Sequence, residues 1–123
     1  MGNKLRFDDA SILEALNALN EAALNELPFG VIRLNNEGIV EFYSAWEERH
    51  SGLSSERTLG RHFFFDVAPC MNNYLVAERF ENEAPLDETI PYVLTYRMRP
   101  TPVRLRLLKS PMVSSRWVLI ERR

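Results

Sequence analysis

The chain has one cysteine, Cys70, and so neither an internal disulfide nor a cysteine-built zinc site. Its two histidines, His50 and His62, form no metal-binding pattern. Its five glycines make no phosphate-cradling or oxyanion motif. No apolar run approaches the roughly 18 residues a membrane span needs. The opening Met-Gly-Asn-Lys-Leu-Arg-Phe-Asp-Asp holds no apolar signal core. Position 6 is Arg6, so Met1-Gly2 lacks the rest of a myristoylation signal. A cytoplasmic protein without a membrane association is expected.

The 123 residues fit one domain, and a 46% hydrophobic content suits a packed core. The net charge of −2 gives no field that would draw nucleic acid. The charge is unevenly spread: residues 1–50 carry nine acids against four bases, and residues 97–123 carry eight bases against Glu121. Either these are complementary faces of one fold, or the basic end docks a partner. Arg104-Leu-Arg106-Leu alternates as a strand with one wet face does.

Asp8 or Asp9 can cap a helix whose apolar stripe runs through Ile12, Leu16, Leu19 and Ala23, with a break near Asn20. That helix either caps the sheet or dimerises. Val31–Leu34 and Ile39–Phe42 read as a hairpin around Asn35-Asn-Glu-Gly38. Tyr43–His50 reads as a helix stopped by Ser51-Gly52, and Ser54–Gly60 as one capped helical turn. Asn72–Asn82 reads as a longer helix with Leu75, Val76, Arg79 and Phe80 on one side. Residues 88–99, 102–109 and 116–121 read as strands, joined by turns at 100–102 and 110–115. The order predicts an α+β fold: a five-stranded, mainly antiparallel sheet with helices on one face and an N-terminal helical cap. It reads as one domain, with residues 1–26 as cap and 27–123 as core.

Tyr43, Glu47 and Ser51 stand four apart and stack on one side if their segment is helical. That row is either a solvated face or a set that binds one anionic oxygen, the latter needing a protonated Glu47 that burial can supply. Cys70 is a buried thiol, a nucleophile or an acyl-attachment point. Nothing local sets either histidine beside it. Asp66 reads as a cap or ion pair, and Met98, Trp46 and Trp117 as packing residues. Phe63, Phe64 and Phe65 cannot all face one way, so at least one lines a cavity or an interface.

Gly60–Cys70, Gly-Arg-His-Phe-Phe-Phe-Asp-Val-Ala-Pro-Cys, resembles the chromophore-attachment segment of the photoactive yellow protein family, blue-light receptors with a PAS fold. The match is carried by Gly60, Phe63, Phe64, Asp66, Val67, Ala68, Pro69 and Cys70. It extends through Phe29-Gly30, Leu34–Gly38, Tyr43, Ala45, Glu47, Thr95–Met98, Pro100-Thr101 and Trp117-Val118. The resemblance implies 4-hydroxycinnamic acid (p-coumaric acid) held by a thioester to Cys70. It implies a phenolate held by Tyr43 and a protonated Glu47, with Ser51 supporting Tyr43. Ile32, Phe63, Val67, Ala68, Pro69, Tyr96 and Met98 would complete the chromophore site. Light-driven trans–cis isomerisation, proton transfer from Glu47 and partial unfolding would then be the signal, without enzymatic turnover.

Two positions depart from the family. Leu53 stands where arginine is common, and Trp46 stands beside Glu47 where a small residue is common. They leave room for a second reading, a PAS scaffold without photochemistry that binds a partner or dimerises. A thiol-dependent enzyme is a third. The expected partner is a downstream signalling protein of unknown identity, with no nucleic acid and no membrane, and the chain a monomer or weak homodimer.

Overall fold

The structure, a computed structural model, describes residues 5–95 and 99–122. Strands β1 (Gly30–Leu34), β2 (Val40–Tyr43), β3 (Leu86–Leu94), β4 (Thr101–Ser110) and β5 (Val113–Arg122) form one sheet. Their order is β2-β1-β5-β4-β3, and every neighbouring pair is antiparallel. The β1–β5 pairing brings the early hairpin against the end of the chain. Ile32 thereby lies between Tyr43 on β2 and Val118 on β5. Helices α1 (Ile12–Ala18) and α2 (Glu21–Leu24) precede the sheet. Helices α3 (Ala45–Ser51), α4 (Ser55–Thr58) and α5 (Ala77–Asn82) lie between β2 and β3.

Successive strand side chains point to opposite faces. Ile32, Leu105, Leu107, Val118 and Ile120 enter one core with Phe63, Phe64, Met71, Val76 and Phe80. Val31, Leu108, Trp117 and Leu119 enter a second core with Phe7, Ile12, Leu16, Leu24, Leu27 and Phe29. The central strands are therefore apolar on both sides. The N-terminal segment covers the second face as a cap, and each large apolar side chain it buries contributes about 1.5–3 kcal/mol before entropy is counted.

The helix break falls at Asn20, whose side chain accepts from the Ala23 N–H at 2.8 Å and caps α2. The predicted cap of α1 is corrected. Its N-cap is Ser11; Asp9 instead accepts from the Arg6 N–H, and Asp8 pairs with Arg104. The helix expected over Asn72–Asn82 is shorter, because the Asn73 side chain accepts from the Leu75 and Val76 N–H groups and holds a turn there. Leu75 is exposed as a result.

The expected wet face on β4 is also corrected. Arg106 is buried; it donates to the Phe7 and Asp9 carbonyls at 2.8 Å and to Asp87. Arg104 reaches Asp8 and Glu121. The N-terminal segment lies over both bases, so the acidic start and the basic end of the chain meet within one fold.

Candidate functional site

The site begins at Ser44, which caps α3. Its Oγ accepts from the Glu47 N–H at 3.3 Å and from the Val31 N–H at 3.0 Å, fixing the helix start against β1. Gly52 ends the helix in the left-handed region, at φ 79°. Glu47 and Ser51 thus project to the same side of α3, and both are buried. Tyr43 is the last residue of β2 rather than part of the helix. Its hydroxyl nevertheless meets Ser51 Oγ at 2.8 Å. Burial, with a smaller contribution from the Glu47 charge, holds the Tyr43 phenol well above the ordinary tyrosine range. It stays neutral at physiological pH and can donate.

Glu47 is wholly buried, at 0% exposure, yet its carboxylate meets a cation. Arg122, near the end of β5, donates to Oε1 at 2.6 Å and to Oε2 at 2.9 Å. The guanidinium also lies 5.5 Å from the Trp46 ring centroid. Trp46 in turn stacks on His50, with centroids 3.7 Å apart. Trp46 is therefore a plate behind Arg122. Gly30 on β1 makes the remaining space: a Cβ there would collide with Glu47 Oε1.

The second half of the site is the segment before Cys70. Phe63–Val67 is a π-helical turn, and Pro69–Met71 is a 3₁₀ turn with proline at its start. The π turn buries Phe63, Phe64 and Val67 and leaves Phe65 exposed. His62 caps it, its Nδ1 accepting from the Phe65 N–H, and Asp66 within the turn accepts from the His62 N–H. Cys70 is half-buried and packs on the apolar cluster that contains Ile32, Tyr43, Phe63, Val67 and Ala68. Its carbonyl accepts from Tyr92 Oη and from Asn73 Nδ2, and the latter also donates to Tyr92 at 2.7 Å. Neither histidine approaches the thiol in any described contact. His62 stacks near Phe65, and His50 bonds the Trp46 carbonyl.

Of the predicted site residues, Ile32, Tyr43, Phe63, Val67 and Ala68 share one cluster with Cys70 against it. Glu47 and Ser51 reach its polar end. Pro69 is exposed, and Tyr96 and Met98 lie outside the described residues. Leu53 is half-buried and packs on the same cluster; its N–H donates to Ser51 Oγ at 3.1 Å. Sequence reasoning missed Arg122, Tyr92 and Asn73. For Arg122 the signal was present. Val118, Ile120 and Arg122 alternate along β5, so the arginine continues the face that carries the site. Tyr92 and Asn73 have no such signal, because their meeting at Cys70 depends on tertiary placement.

No protein-family model matches the chain. It is 32% identical over 123 residues to photoactive yellow protein of Halochromatium salexigens, covering 98% of both chains. The chain belongs to the photoactive yellow protein family. Among solved structures, the photoactive yellow protein domain of the sensor histidine kinase Ppr from Rhodospirillum centenum superposes with a TM-score of 0.80. It is 28% identical, with 89% of this chain and 98% of that one covered. The PAS domain of an HTR-like protein from Haloarcula marismortui shares the fold, with a TM-score of 0.63 at 15% identity, covering 89% of this chain and 97% of that one. The α+β sheet expected from the order of elements and the PAS fold implied by the resemblance are thus both found, with helices on one face and the N-terminal cap on the other. No helix of the described residues is long and apolar enough to cross a membrane.

Proposed function

We propose that this chain is a cytoplasmic blue-light photoreceptor that carries a 4-hydroxycinnamoyl group as a thioester on Cys70. The observation that carries the reading is the pairing of a lone thiol with a buried polar set across one apolar cluster. Cys70 borders the cluster, and Tyr43, Glu47 and Ser51 stand at its polar end. This donor set fits the group. A thiol is what a thioester needs, and a phenol and a carboxyl are what a phenolic oxygen needs. Family membership supports it further.

When bound, the group supplies blue-light absorption and trans–cis isomerisation of its double bond. The chain's own residues do the rest. Tyr43, neutral and braced by Ser51, donates a hydrogen bond from its hydroxyl and anchors the phenolic end. Glu47 holds, and can give up, a proton at a carboxyl oxygen beside it. Phe63, Val67, Ala68 and Ile32 keep water from the conjugated part. Tyr92 and Asn73 bond the Cys70 carbonyl and fix the backbone that bears the thiol. Leu53, whose side chain cannot donate a hydrogen bond, packs on the cluster where arginine is common. The output is a change of shape passed to a signalling partner.

The test is mass spectrometry of the protein after incubation with activated 4-hydroxycinnamic acid. An adduct that maps to Cys70 and disappears in Cys70→Ala is expected. A chain that folds but acquires no adduct would instead be a scaffold for partner binding.

A further inference from the structure

We propose that Arg122 is a resident counter-ion for Glu47, so that ionised Glu47 in this chain forms an ion pair instead of a lone buried charge. The inference deepens the photoreceptor reading by assigning what receives the carboxylate, and its first test does not depend on that reading.

The geometry carries it. Both oxygens of Glu47 accept from the one guanidinium, at 2.6 and 2.9 Å. That bidentate fork matches a carboxylate; a protonated carboxyl has one oxygen committed as a hydroxyl and cannot accept equally on both. Arg122 is itself nine-tenths covered, at 11% side-chain exposure, so solvent screens the pair little. The position is built. Trp46 backs the guanidinium on one side, and Gly30 leaves the gap that the carboxylate fills. Among the described residues, Arg122 comes to Glu47 from β5, the neutral phenol of Tyr43 from β2 and Gly30 from β1, while Ser51 and Glu48 lie on its own helix. Arg122 is the cation among them.

The consequence concerns the trigger. In the sequence-based expectation, a lone carboxylate left in an apolar pocket drives the structure apart. In the loaded protein, where Glu47 holds a proton beside the phenolic oxygen, the carboxylate left by release of that proton has Arg122 within reach, and the pocket tolerates its charge. Trp46, a departure from the family pattern, is then explained as the support of this counter-ion.

The test starts with the protein free of any ligand, with the Glu47 side-chain carbon labelled for NMR. At pH 7 the wild type is expected to show the carboxylate shift, and Arg122→Gln the shift of a protonated acid. Arg122→Lys, which keeps the charge but not the fork, is expected to stay a carboxylate. A protonated signal in the wild type, or a carboxylate in both wild type and Arg122→Gln, overturns the proposal. The wild-type spectrum decides this even if Arg122→Gln does not fold. The second arm uses protein loaded with the 4-hydroxycinnamoyl group. Illumination is expected to unprotect more backbone amides to hydrogen exchange in Arg122→Gln than in the wild type, and equal loss overturns the consequence drawn for the trigger. If neither protein loads, the photoreceptor reading falls while the NMR result still stands for Arg122.

Discussion

The Tyr43 hydroxyl and Ser51 Oγ lie 2.8 Å apart, joining the end of a strand to the end of the helix that follows it. Both residues are buried, at 4% and 1% exposure, so neither hydroxyl has water as a ready substitute. Removing one partner leaves the other short of a bond, at a cost of about 1–3 kcal/mol. Ser51→Ala and Tyr43→Phe are each expected to lower urea-unfolding stability by that amount. The double variant should lose less than the sum, because the Tyr43–Ser51 bond is lost only once. Additive losses would show that the bond contributes nothing to stability.

High pH should weaken the fold through the same tyrosine. The folded-state pKa of Tyr43 is raised, chiefly by burial, while the unfolded chain titrates near about 10. Above that value the unfolded state loses a proton that the folded state retains. Stability is therefore intact below about pH 10 and falls as pH rises past it. Tyr43→Phe should flatten that fall relative to the wild type in urea titrations between pH 9 and pH 11. Parallel curves for the two proteins would remove Tyr43 as the cause.

Gly30 holds its place by what it lacks. A Cβ there would strike Glu47 Oε1 and also approach the Ile120 side chain at 3.2 Å. Gly30→Ala is expected to destabilise by about 1–3 kcal/mol, the usual cost of crowding a packed site. It should also disturb the Glu47–Arg122 fork. Chemical-shift changes confined to β1 and sparing Glu47 would contradict the close approach.

The cap is held by polar bonds as well as by its apolar side chains. Arg106 bonds the Phe7 and Asp9 carbonyls from a buried position, whereas the Arg104–Asp8 pair is exposed on the aspartate side. Burial of Arg106 makes its loss costly, about 1–3 kcal/mol for the acceptors left unpaired. An exposed pair is worth about 0–1 kcal/mol. Arg106→Ala should speed hydrogen exchange in α1 and α2 while the central strands stay protected. Asp8→Asn should change little. Equal effects of the two substitutions would contradict this ranking.

Much of this was legible in the sequence, and the reasons are local. The Asn35–Gly38 hairpin, the break at Asn20 and the Gly52 stop are set by short-range chemistry. The family resemblance was readable in the contiguous pattern of the segment ending at Cys70. What escaped depends on distant residues meeting. Arg104 and Arg106 read as a wet face, because alternation shows which residues share a face but not what covers it. Tyr43, Glu47 and Ser51 were predicted as one helical row; Tyr43 is on the strand and meets Ser51 through a strand-to-helix turn, while Glu47, one turn before Ser51, bonds Arg122. Arg122 reaches Glu47 only because β5 pairs with β1 and extends past Gly30. Asn73 ends a predicted helix early by bonding its own backbone.

The central claim is that Cys70 carries a light-absorbing group whose phenolic end rests in the Tyr43–Glu47 pocket. Its most direct test is the visible absorption spectrum of the purified protein after incubation with activated 4-hydroxycinnamic acid, taken before and during blue illumination, beside Cys70→Ala. A new blue-absorbing band that requires Cys70, bleaches in the light and returns in the dark is the expected result. A folded wild-type protein that gains no band, or the same band in Cys70→Ala, would contradict it.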